Sequence, residues 1–183
     1  MNTSAVLAAP TLQNPAAQLA YTPPELIVAS RDVLLQGLSL LFKLSDSTFS
    51  QFVEPYDASI GTHYSQVVRH FERVIRSVRS GEVNYDTREA HPRLGTEVTY
   101  AAIATCDVLR AIKNYDNATL RRSCRVLGTS PDIAQPPFVD TNVGRELAYC
   151  ISHAQQRYAT IRLICGHIGV DAPAEFRAAR AGV

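Results

Sequence analysis

The residues best suited to chemistry lie near the end of the chain, in the stretch SHAQQRYATI. This stretch places His153 and Arg157 four residues apart. On a helix, residues at that spacing lie on one face, one turn from each other. Two histidines there would form half of a metal site. A guanidinium stays protonated and does not ligate metals, so Arg157 supplies a fixed positive charge instead.

Polar residues on two predicted helices form two ladders beside apolar stripes. The earlier helix carries His63, Gln66 and His70. The later helix carries Glu146, Cys150, His153 and Arg157. If the two helices pack against each other, both ladders face one cleft. The competing interpretation is that each histidine is an ordinary hydrogen-bonded residue at the edge of the core.

Cys150 allows two interpretations of its own. It lies three residues before His153, which is a suitable base for a thiolate nucleophile. A cysteine in the buried face of a helix is also a common packing residue without reactivity.

Hydrophobic periodicity predicts four long helices that position these ladders. They cover residues 22–44, 60–80, 96–115 and 143–167. Residues 45–59 and 81–95 are rich in turn formers. Residues 117–141 contain three prolines and a β-tolerant run, which predicts a long crossover with one short hairpin. The pattern favours an all-α four-helix bundle.

Composition limits the possible classes of protein. The chain has 183 residues, 46% of them hydrophobic, and a formal charge of +1, as expected for one soluble globular domain. The low net charge argues against a nucleic-acid partner, and no apolar run is long enough to suggest a membrane partner. The four cysteines lack CxxC spacing, which favours reduced thiols and a cytoplasmic location.

The predicted domain covers residues 22–170. Residues 1–21 lack the basic start of a signal peptide and are predicted to form a flexible tail, and residues 171–183 a second tail. The first helix is apolar over a wider arc than one buried stripe requires, which predicts a homodimer through helix one or helix three. The apolar residues of that arc are Leu34, Leu35, Leu38, Leu40, Leu41 and Phe42.

Three runs, in order and spacing, resemble a branch of the DinB/YfiT-like superfamily. They are SIGTHYSQVVRHFERVI, VNYDTREAHPRLGTE and VGRELAYCISHAQQRYATI, and the resemblance covers roughly residues 25 to 170. It implies a four-helix bundle, often a homodimer, with zinc or nickel held by three histidines. Characterised members of the family include thiol-dependent S-transferases and isomerases that use low-molecular-weight thiols, so the resemblance also implies a thiol as a possible ligand.

Carried over to this chain, the implied ligand positions fall on Gln66, His153 and Arg157. Only His153 retains a ligand of the family. We therefore expect a degraded metal site without a cofactor, in which the charge of Arg157 substitutes for the cation. In such a site Arg157 is expected to pair with Glu146 or with an acid on another helix. The expected role is that of a small-molecule-binding or cryptic protein.

Two alternatives remain open at the level of sequence. One is a metal-dependent thiol S-transferase whose zinc or nickel site is rebuilt around His63, His70 and His153. The other is a purely structural dimer. Fold resemblance alone names no substrate or reaction.

Overall fold

A computed structural model of the chain describes residues 22–86, 91–127, 138–174 and 176. Its described part is predominantly helical. The helices are α1 (Pro23–Leu41), α2 (Asp46–Ser50), α3 (Ile60–Ser80), α4 (Val98–Ile112), α5 (Asn117–Arg121) and α6 (Val143–His167). The predicted tail at residues 1–21 lies outside the described residues, as does most of the predicted tail at 171–183.

Local signals explain where the two site-bearing helices begin and end. The Ser59 side chain accepts a hydrogen bond from the Thr62 amide at the start of α3, and Gly81 ends that helix at φ 74°. The Asn142 side chain accepts from the Arg145 amide at the start of α6. Both helices agree with the predicted bounds.

The four long helices pack around one core. α3 contacts α4 and α6, and α1 contacts the same two helices. The α3 face toward the core is formed by buried side chains that include Tyr64, Val67, Val68, Phe71 and Val74. Because α3 and α6 are direct neighbours, the two polar ladders are brought to a shared boundary.

A small sheet precedes α6 and directs the chain into it. The strands are β1 (Glu82–Val83), β2 (Ser123–Leu127) and β3 (Phe138–Asn142). β1 pairs with β2 in parallel, and β2 pairs with β3 antiparallel, from Ser123 opposite Asn142 to Leu127 opposite Phe138. The predicted hairpin is therefore present, while the all-α class is confirmed only as a predominantly helical structure, because the sheet adds β1 to that hairpin.

Two short helices were not predicted, and two long ones are shorter than predicted. α2 lies in the turn-rich stretch and α5 opens the crossover, each with a side-chain cap from Ser45 or Asp116. α1 ends at Leu41 rather than at residue 44, and α4 covers Val98–Ile112 rather than 96–115. A helix of five residues depends on its cap and on packing, which periodicity does not detect.

Within the described part of the chain, no helix is both long and apolar enough to cross a membrane. All four cysteines are free, with Cys106 exposed and the other three buried. Phe176 is buried and stacks on Tyr158 at 4.5 Å between ring centroids, so this part of the predicted C-terminal tail packs against α6.

Candidate functional site

The predicted ladders of α3 and α6 meet through a stack of rings. The rings of His70 and His153 lie parallel, with centroids 3.8 Å apart and an angle of 12° between planes. Tyr85, from the loop after β1, also stacks on His70 at 4.8 Å. The Nδ1–H of His70 donates to the backbone carbonyl of Gln66 at 2.7 Å, which fixes the ring one turn along α3.

Arg157 is held by two imidazoles. Its Nε–H donates to Nε2 of His153 at 3.1 Å, and its Nη1 lies 3.5 Å from Nδ1 of His63, at the long limit of a hydrogen bond. Because a guanidinium only donates, both ring nitrogens act as acceptors. His153 then carries its proton on Nδ1, and His63 carries its proton on Nε2.

The buried carboxylate of Glu146 has partners other than Arg157. Its Oε2 accepts from the Tyr85 hydroxyl and its Oε1 from Thr141, each at 2.8 Å. The Arg145 guanidinium lies 3.6 Å from Oε1. Glu146 therefore connects the Tyr85 loop and β3 to α6. The prediction that it pairs with Arg157 is wrong, because Arg157 lies about three turns further along α6 and the carboxylate is bound by Tyr85 and Thr141.

Cys150 lies inside the core rather than in an open cleft. It has no exposed surface, and its side chain contacts the Tyr85 hydroxyl. Burial raises the pKa of its thiol, and the nearby negative charge of Glu146 adds to the increase. A protonated, inaccessible thiol at neutral pH suits a packing role.

The three histidines of the cluster are neutral at physiological pH. Burial lowers the pKa of His70 to about 4 and that of His153 to about 3, with the Arg157 charge contributing to both. Burial and Arg157 also lower the pKa of His63. Neutral rings are compatible with the close stack, whereas two imidazolium rings at that distance would repel each other.

Three buried polar atoms at this boundary have no hydrogen-bond partner among the described residues. They are His63 Nε2, His153 Nδ1 and Gln66 Oε1. By the assignment above, the two nitrogens carry protons and are donors, and Gln66 contributes an acceptor. Buried polar groups are normally paired, so this set leaves unused hydrogen-bonding capacity at the boundary between α3 and α6.

The cluster does not suit a divalent cation as it is arranged. Imidazole lone pairs lie in the ring plane, so the parallel planes of His70 and His153 do not direct two nitrogens to one point about 2 Å from each. The Nε2 lone pair of His153 is occupied by the Arg157 proton. Across the described ranges, no three His, Cys, Asp or Glu side chains are grouped in a way that could hold a metal.

Tyr149 is a member of the cluster that the sequence analysis did not select. Its ring lies 5.0 Å from that of Tyr85 and 6.1 Å from that of His153, between centroids. Both tyrosines line a pocket of about 650 Å³ together with residues of the hairpin and α6, among them Val139, Glu146 and Ser152. Tyr149 is one turn before His153, so extending the α6 ladder to aromatic residues would have found it.

Comparisons with known proteins add no assignment: no protein-family model matches the sequence, and no curated protein matches it significantly.

Proposed function

We propose that this protein is a DinB-like four-helix bundle that binds a small molecule between α3 and α6 without a metal cofactor. The observation that carries the proposal is the hydrogen bond from Arg157 Nε to His153 Nε2 at 3.1 Å. It places a permanent cation on the one remaining histidine that the family resemblance would assign to a metal.

The chemistry of the cluster supports binding rather than catalysis. His70 and His153 have pKa values well below neutrality, the thiol of Cys150 is buried, and the Glu146 carboxylate accepts hydrogen bonds from Tyr85 and Thr141. A general base works best with a pKa near the working pH, and a nucleophile must reach its substrate. The unpartnered polar atoms and the adjoining aromatic pocket instead suit recognition of a ligand.

Histidine-ring NMR tests the proposal directly, because the chain has five histidines and two of them lie outside the site. A mixed fragment library of neutral, cationic and anionic compounds should contain members that shift the ring signals of His63, His70 and His153. The signals of His91 and His167 should stay constant and serve as internal controls. A library in which no compound shifts the three site signals would contradict ligand binding and favour a purely structural dimer.

A parallel arm tests the metal-dependent alternative. Zinc or nickel added to the natural protein should leave its melting temperature nearly unchanged, since Arg157 occupies the ligand nitrogen. Tight metal binding that is lost in His63→Ala or His70→Ala would overturn the proposal and establish the rebuilt site of the S-transferase alternative.

A further inference from the structure

The guanidinium of Arg157 has a charge that nothing in the described part of the chain neutralises. Its partners there are two imidazoles, and no carboxylate of the described residues lies within ion-pair distance of it. Arg157 is half-buried, so it loses part of its hydration, and an anion paired with the guanidinium would compensate for that loss.

The guanidinium retains hydrogen-bond donors for such an anion. Of its five N–H groups, one is directed to His153 and one to His63. Three remain on the Nη1 and Nη2 end. Two parallel N–H groups from that end match the two oxygens of a carboxylate, which is the bidentate arrangement that arginine favours.

The surroundings limit the anion to a single charge. The neighbouring histidines are neutral, and among the charged groups that act on His70 the carboxylate of Asp86 offsets the guanidinium of Arg73, which leaves the single charge of Arg157. The carboxylate of Glu146 belongs to a separate set of hydrogen bonds. Nε2–H of His63 and Nδ1–H of His153 are further buried donors without partners, and both side chains are more than nine-tenths buried. These two N–H groups lie on the sides of their rings that face away from Arg157, so the anion contacts the free N–H groups of Arg157 itself, which a monoanion with two acceptor oxygens matches.

Aromatic rings define what the anion is attached to. Tyr149 and His153 lie on the same face of α6 as Arg157, and Tyr149 is half-exposed. Eight residues of helix from Tyr149 to Arg157 span about 12 Å. Flat or apolar groups stack on such rings, so this face of α6 offers a surface for the body of an anion bound at Arg157.

We propose that the ligand is an organic monocarboxylate with an aromatic or apolar body, its carboxylate on the outer edge of Arg157 and its body against Tyr149. This inference rests on the proposed function, since it names the ligand class of the same site.

A matched pair of probes tests it on the natural protein. 4-Phenylbutyrate should shift the histidine-ring signals of His63 and His153 and should bind at least about tenfold more tightly than the neutral 4-phenylbutyramide, because charge-assisted hydrogen bonds are lost in the amide. Added salt should weaken the binding of the carboxylate probe and leave the binding of the amide probe unchanged. Inorganic phosphate should compete poorly, since it carries more charge than one guanidinium balances.

Two variants with the same charge change locate the effect. Arg157→Gln should reduce the affinity for 4-phenylbutyrate to that of the amide, and Arg157→Lys should retain part of it. Arg162→Gln, on the exposed side of the same helix, should bind like the natural protein. Circular dichroism of each variant verifies folding. The comparison of the two probes on the natural protein does not depend on whether the variants fold.

The possible failures are distinguishable. Equal affinity for carboxylate and amide, or tighter binding of phosphate, would overturn the carboxylate assignment and leave small-molecule binding intact. Loss of carboxylate binding in Arg162→Gln as large as in Arg157→Gln would show that only overall charge matters, and would overturn it as well. If neither the probes nor any library compound shifts the site histidines, the proposed function fails together with this inference.

Discussion

At the scale of single residues, Arg157 has an effect that histidine at the same position would not. Imidazole adjusts its protonation to its surroundings, whereas guanidinium remains charged and forces its neighbours to accept. His63 and His153 therefore remain neutral, and the charge is directed outward to solvent or ligand. If the family resemblance and the proposed ligand are right, one change of residue type converts a metal-ligand position into an anion-binding position.

The lowered histidine pKa values predict loss of stability in mild acid. Their folded pKa values, about 4 for His70 and about 3 for His153, lie below the ordinary value of 6.5. The unfolded chain therefore binds more protons between these limits, so the stabilisation is complete above about pH 6.5 and is lost as the pH falls. Each of the two shifts corresponds to about 2 kcal/mol between pH 7.5 and pH 5, and solvent screening reduces their sum. We therefore expect the free energy of unfolding to decrease by about 2–4 kcal/mol over this range, measured by urea denaturation.

His70→Phe is the control for that titration, because it keeps a ring in the stack and removes one titrating group. Its unfolding free energy should change less with pH than that of the natural protein. A natural protein equally stable at pH 5 and pH 7.5 would contradict the assignment of neutral buried histidines.

Restoring the two lost ligands tests the degraded-site interpretation. Arg157→His releases the lone pair of His153 and places two imidazoles at positions i and i+4, and Gln66→His adds a third ligand from α3. The double variant should bind zinc or nickel, and at 100 times its Kd the metal should add about 2.7 kcal/mol of stability. Melting curves with and without metal measure this, with the natural protein as the reference. A folded double variant that stays free of metal would show that the family resemblance misplaces Gln66 or Arg157.

At the scale of elements, the site-bearing helices could be predicted and the supporting elements could not. α3 and α6 have strong periodicity and clear end signals at Ser59, Gly81 and Asn142. β1 has two residues and pairs with a strand 43 positions along the chain, from Glu82 to Arg125, which no local pattern indicates. The stack of His70 on His153 depends on the rotation of two helices about their axes, which the ladders allow but do not determine.

One close approach of backbones fixes α3 relative to the segment before α4. A Cβ on Gly61 would lie 2.0 Å from the backbone carbonyl oxygen of Gly95, and backbone has little freedom to move aside. Gly61→Ala should therefore destabilise the protein by about 1–3 kcal/mol, as other overpacked substitutions do. Gly166→Ala, in α6 with no atom near the added methyl, should be stabilising by about 0.5–1 kcal/mol because alanine favours helix. Urea denaturation of both variants measures the difference, and equal effects would contradict the close approach.

At the scale of the whole molecule, packing into the core of the protein accounts for only some of the apolar residues of α1. Leu34, Leu38, Leu40 and Leu41 of the predicted arc are buried. What remains outside is a stripe at seven-residue spacing, formed by Val28, Leu35 and Phe42, of which Phe42 is 81% exposed. Ile103 of α4 lies beside Phe42 in a groove of about 480 Å³.

This stripe is the surface through which we expect the protein to form a homodimer. Residues seven apart repeat along one side of a helix, so two copies of α1 related by a twofold axis present the same stripe to each other. The groove beside Phe42 then receives apolar side chains of the second copy, which removes exposed apolar surface from water.

Light scattering at micromolar concentration should give about twice the chain mass of 20.1 kDa. Leu35→Glu should shift the mass to that of the monomer, while Leu163→Glu, an exposed leucine on α6, should leave the dimer unchanged. A natural protein that remains monomeric would contradict the prediction, and a dimer that survives Leu35→Glu would show that a face other than α1 forms it.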